Sequence, residues 1–247
     1  MASTSETGHA KNIANFEDLI SFCTGYGAAY SPGRESLTIV KMKELHATSA
    51  NALQDTKTTK TAFDNASNKR RLAFDDLKPF STRLVSGLAA SGASALVMQD
   101  AKTVNKKIQG VRATPKPAAP APGAEAATPS PKTISTSQLS YDSLIDHFTK
   151  LVEVVAQESN YTPNEAEMKV TGLQAKLQGL KTTNSAVTNT YTQWSNSRLR
   201  RNNILYNVIT GLVPVALDAK RYIKFVFGVA SPQLKQVSGL EFKTVID

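Results

Sequence analysis

The sequence predicts an all-α protein, and three observations carry that prediction. Apolar residues recur at three-and-four spacing over long stretches. No alternation of apolar and polar residues lasts beyond about four positions, as a strand would require. The composition, rich in Ala, Leu, Lys, Gln and Asn, suits helices.

The elements follow in order. Residues 1–14 are polar, lack the basic start and apolar run of a secretory signal, and read as a flexible tail. Phe16-Glu17-Asp18-Leu19-Ile20 opens a first short helix. A long helix comes next, with Met42, His46, Ser49, Leu53, Thr56, Lys60 and Phe63 at alternating four-and-three steps. The segment DAKTVNKKIQG, 100–110, reads as a third helix stopped by Gly110. Residues 113–138 then hold six of the chain's 11 prolines and lack any aromatic residue, the composition of a tether.

Beyond the tether the plan recurs. Residues 141–157 place Leu144, Ile145, Phe148, Leu151, Val152 and Val155 on one helical face. Leu173, Leu177, Leu180, Asn184, Val187, Tyr191 and Trp194 form a stricter heptad seam, on a helix expected to run from about 164 to 206, on the order of 65 Å. A third helix, 214–227, carries Val215, Ala219, Tyr222, Ile223 and Val226 and stops at Gly228.

These two runs are related in sequence. FEDLI at 16–20 matches YDSLI at 141–145, and YSP at 30–32 matches YTP at 161–163. At a constant offset of 131, Thr59 pairs with Thr190, Phe63 with Trp194, Asn65 with Asn196 and Arg70 with Arg201. DAKTVNKKIQG then matches DAKRYIKFVFG at 218–228. The expected architecture is an elongated, four-helix-bundle-like assembly of two tandem repeats, each short helix, long helix, short helix. Its segments are repeat 1 at 15–112, the linker at 113–138, repeat 2 at 139–240 and a C-terminal tail at 241–247.

Composition narrows the function classes. No run approaches the roughly 20 apolar residues of a membrane span, and mean hydropathy is −0.26. A lone cysteine, Cys23, allows neither an intrachain disulfide nor a cysteine-based zinc site, which favours the cytoplasm. The charge of +9, from 29 Lys and Arg against 20 Asp and Glu, favours contact with polyanions. The basic clusters Lys69-Arg70-Arg71 and Arg198, Arg200, Arg201 are candidates to meet phosphates. Aromatics such as Tyr191 and Trp194 read as core packing. Tyr222, Lys224, Phe225 and Phe227 are candidates to meet a hydrophobic partner, since the first copy of that helix lacks aromatics.

Catalysis finds little support. His9, His46 and His147 stand at no metal-ligand spacing, and the GxG of GYGAAYSPG follows a helix rather than a strand. His147, whose repeat counterpart is Phe22, reads as packing. No catalytic residue, cofactor, metal or small-molecule substrate is expected.

The stretches FEDLISFCTGYGAAYSP, NKRRLAF, AKTVNKKIQGVRATP, FTKLV, YTPNE and KFVFGVASPQLKQVSGLEF resemble a family of bacterial hypothetical proteins without assigned function. The resemblance covers almost the whole chain outside the tether and implies helical structure and bacterial origin. It carries over no catalytic residue, cofactor or ligand. The expected function is a non-enzymatic structural, scaffolding or interaction protein, a candidate self-associating component of a larger assembly. A nucleic-acid-associated protein using the arginine clusters is the alternative.

Overall fold

In a computed structural model of the chain, the described residues are 4–111 and 139–245. They fold as helices with no strand among them. The helices are α1 (Thr4–Gly25), α2 (Ile39–Asp75), α3 (Leu77–Ala90), α4 (Ala95–Gln109), α5 (Tyr141–Ala156), α6 (Val170–Tyr206), α7 (Leu212–Phe227) and α8 (Pro232–Ser238). The linker expected at 113–138 lies outside the described residues.

The chain divides into two compact units, 1–64 with 189–247, and 65–188. In the first unit α1 packs on α7 and α8. Phe16, Leu19, Ile20 and Cys23 bury one face of α1, and Leu212, Val215, Ala216, Ala219 and Ile223 bury one face of α7. Ala216 and Ala219 have no exposed surface, and such small side chains let helix backbones approach closely. Each larger apolar side chain buried here contributes about 1.5–3 kcal/mol of transfer free energy. The part of α2 in this unit runs antiparallel to its part of α6. Asp55 pairs with Arg200 at 2.6 Å, the Thr59 and Ser197 hydroxyls meet at 2.7 Å, and Phe63 stacks on Trp194 at 5.5 Å.

The second unit packs α4 against α5 and α3. Its core joins Leu77, Leu84 and Leu88 of α3, Ala101 and Ile108 of α4, and Phe148, Leu151 and Val155 of α5. Phe80 meets Phe148 edge-on at 6.1 Å. Here too α2 and α6 run antiparallel, with Arg70 donating to Asn184 Oδ1 at 3.1 Å.

The loops leading into the two long helices close in one way. Tyr30 Oη donates to the Leu37 carbonyl at 2.9 Å, and Tyr161 Oη donates to the Met168 carbonyl at 3.0 Å. Each hydroxyl lies at the inner end of a buried ring, so the bond removes an unsatisfied polar group while fixing the turn.

Several expectations change. Of the tail expected at 1–14, the described residues 4–14 are not free: α1 begins at Thr4, and His9, Asn12 and Ile13 are buried. Periodicity overlooked this turn because its buried side chains are polar and find distant partners. His9 Nδ1 lies 2.6 Å from Tyr206 Oη. The segment from 241 is held as well, since Asn15 donates to the Glu241 carbonyl and Asn12 to that of Lys243.

Each long helix is followed by two helices rather than one. The DAK segments therefore occupy unlike places: Asp100 lies in α4, two helices beyond α2, while Asp218 lies in α7, the next helix after α6. Both sit in the second turn of their helices. The stopping glycines hold, with Gly110 at φ 79° and Gly228 at φ 90°. The long helix of the second half starts at Val170, because residues 164–169 form a turn, and ends at Tyr206.

Candidate functional site

The sequence-predicted residues fall into two groups, a set of cations and the outer face of α7. The cations are mostly engaged. Arg201 has no exposed surface, and its Nε and Nη2 donate to Asn202 Oδ1 at 3.1 and 2.8 Å. Arg200 is committed to Asp55. Arg198 lies over the Trp194 ring at 5.1 Å, and Arg70 over the Tyr141 ring at 4.0 Å. Arg70 also belongs to a polar chain, because the Asn184 it bonds donates onward to Asp142 at 2.7 Å. That chain explains the one polar position of the second seam. Lys69 and Arg71 are exposed.

A phosphate-binding patch needs cations that are exposed and uncommitted. In the cluster at 198–201, Arg201 fails the first requirement and Arg200 the second. The cluster at 69–71 retains two exposed cations. These two clusters lie in different compact units.

The aromatic seam residues also differ from expectation at one point. Phe63, Tyr191 and Trp194 contact one another with centroid distances of 5.5–6.0 Å, yet Tyr191 is 50% exposed. They form a surface aromatic cluster, with Lys60 Nζ 5.3 Å from the Trp194 ring, rather than a buried core.

The four partner candidates of α7 separate into anchors and presenters. Tyr222 meets Tyr30 edge-on at 5.3 Å, and Phe227 meets Tyr26 at 5.2 Å. Both rings are half-buried and hold α7 in place. Phe225 is 83% exposed, and Lys224 beside it is exposed as well. Leu217, eight residues earlier and so on the same helical side, and Val226 each show 37% of their surface; Val229, just past the helix stop, shows 74%. The preceding connection exposes Val208 and Ile209.

Electrostatics pins this element on its other sides. Asp218 accepts from Arg34 and from Arg221, each at 2.6 Å, and Arg34 also reaches the Ile209 carbonyl at 3.4 Å. Lys220 Nζ donates to the Ser238 and Leu240 carbonyls, at and just past the end of α8, and burial pushes its pKa down. Beneath α7, burial pushes the Cys23 thiol up to about 11, so it stays protonated and unreactive. Tyr30 is pushed up by the same burial, with Cys23 beside it.

Among the described residues no group of three or more His, Cys, Asp or Glu is placed to hold a metal ion, and no helix is long and apolar enough to cross a membrane. Comparison with protein-family models, curated proteins and solved structures finds no match for this chain.

Proposed function

We propose that the chain is a non-enzymatic interaction or scaffolding protein of the cytoplasm that associates with itself through the outer face of α7. The observation that carries this reading is Phe225: a large ring 83% exposed, flanked by Val226 and Val229, on a helix whose opposite face is fully engaged in the core. Single exposed apolar residues are ordinary, but successive ones at the end of one helix are the usual mark of a surface with a partner. The single, buried Cys23 supports a reducing compartment.

The same reading makes the chain an internal duplication. Its support is now broader than the sequence matches. The long helices, 39–75 and 170–206, keep the offset of 131 at both ends, and Tyr30 to Leu37 and Tyr161 to Met168 are one hydrogen bond at that same offset. Phe63 stacks on its own counterpart Trp194 at the same offset. The counterpart of α7 becomes α3: Leu77-Lys78-Pro79-Phe80 opens one as Leu212-Val213-Pro214-Val215 opens the other. α4 and α8 then correspond, each capped by a serine accepting from the backbone N–H three residues on.

Sedimentation equilibrium of the full chain and of Phe225→Glu tests the proposal. The wild-type mass should rise with concentration and the variant should remain a monomer. A strict monomer for the wild type at high concentration would refute self-association.

A further inference from the structure

Residues 241–245 are not helical, and they run along α1 against its direction. Glu241 meets Asn15, Lys243 meets Asn12, and Val245 meets Gly8. Alternate residues of the segment thus match steps of three and four on the helix. Two residues of extended chain span about 6.6 Å, close to the roughly 4.5–6 Å covered by three or four helical residues. The repeat distances agree, so an extended backbone can follow the helix.

The contacts are directed at main chain. Asn12 Nδ2 donates to the Lys243 carbonyl at 2.7 Å, and the Lys243 N–H donates back to Asn12 Oδ1 at 3.0 Å. Asn15 Nδ2 donates to the Glu241 carbonyl at 2.7 Å. Asn12 and Asn15 are only 2% and 3% exposed, which would be costly for amides without these partners. Tyr206 Oη, bonded to His9, also accepts from Asn12 at 3.3 Å and fixes its amide orientation.

Side chains contribute at two points. Phe242 packs on the core of the first unit, and a Cβ at Gly8 would lie 2.8 Å from Val245 Cγ2. Glu241, Lys243 and Thr244 are exposed. A paired asparagine reading both polar groups of one residue, with the side chains of Phe242 and Val245 seated and those of Lys243 and Thr244 between them free, is the logic of extended-peptide recognition.

We propose that this face of α1 is a binding site for an extended peptide of a partner protein, occupied in cis by residues 241–245. The ligand class is an extended segment with an aromatic residue at the Phe242 position and a β-branched apolar residue three positions on. Its main chain is held by Asn12 and Asn15. The site is distinct from the α7 face and does not depend on self-association. A tethered segment has an effective concentration of about millimolar, so the cis occupant holds back a free peptide until it is released.

The test uses the full chain and a fluorescein-labelled peptide of residues 239–247, followed by fluorescence anisotropy. Lys243→Pro removes the N–H that Asn12 accepts and weakens the cis segment without entering a helix. The peptide should bind this variant at least tenfold more tightly than the wild type, and adding Asn12→Ala should reverse the gain. In the wild-type chain, excess unlabelled peptide should speed hydrogen exchange at the Lys243 amide, a readout that needs no variant. Equal binding by wild type and Lys243→Pro, with helix content unchanged by circular dichroism, would overturn the proposal. So would an exchange rate at Lys243 indifferent to peptide.

Discussion

His147 is 5% exposed on α5, and neither ring nitrogen has a hydrogen-bond partner. Burial lowers its pKa, the Lys107 and Lys150 charges add to the effect, and Asp146, 3.8 Å from Nδ1, opposes it. A histidine held below its unfolded value of about 6.5 binds more protons when unfolded, so its contribution is present above that pH. It is lost as pH falls from there through the folded value. The urea midpoint of the second unit should therefore drop between pH 7 and pH 5, and His147→Phe, the residue at the matching position 22, should flatten that slope. Phe148 beside it has no exposed surface. Phe148→Ala should cost about 3–5 kcal/mol in the same unfolding experiment. Arg201 makes a further point at this scale. A carboxylate placed at its fully buried position would disrupt the first unit, so reversing Lys69 and Arg71, both exposed, is the cleaner probe of polyanion binding. If the surface charge of that cluster matters, a salt-sensitive shift with DNA should disappear in Lys69→Glu/Arg71→Glu and persist in the wild type at low salt.

Gly228 ends α7 at φ 90° and ψ 166°, a conformation that side chains avoid, and nothing lies within 4 Å of where a Cβ would stand. Gly228→Ala should consequently cost about 1–3 kcal/mol through backbone strain without a clash, measured as a lowered thermal midpoint. This stop was legible in the sequence, as were Gly110, the end of α6 at Tyr206 and the buried positions Met42, Ser49, Leu53 and Thr56 of the weaker seam. Each is a local signal, either a glycine past a helix or a three-and-four step. The start of α1 was not legible, because His9 and Asn12 are polar and their burial depends on Tyr206 and Lys243, roughly two hundred residues away in sequence. α3 was hidden by the likeness of the two DAK segments, which lie in helices at different places in the order. Its own signal was present in Leu77, Phe80, Leu84 and Leu88, whose spacing alone marks a buried face. At the α7 face, sequence named Phe225 together with Tyr222 and Phe227 and could not separate the exposed ring from the two packed ones, since Tyr30 and Tyr26 reach Tyr222 and Phe227 from a distant part of the chain.

Across the whole molecule, the compact units do not follow the halves of the sequence. The first joins α1 from the N-terminal half with α7 and α8 from the C-terminal half; the second packs α3 and α4 from the N-terminal half against α5 from the C-terminal half. A periodic apolar face in the sequence does not record which part of the chain covers it. The consequence is strong coupling of the two halves. Fragment 1–112 lacks the helices that cover α1, and fragment 139–247 lacks those that cover α5. Separate expression of these fragments, followed by mixing and thermal unfolding monitored by circular dichroism, tests this most directly. Each fragment alone should be weakly helical and melt without cooperativity, and an equimolar mixture should regain the helicity and the sharp transition of the full chain. A fragment 1–112 that folds and melts cooperatively by itself would contradict the account.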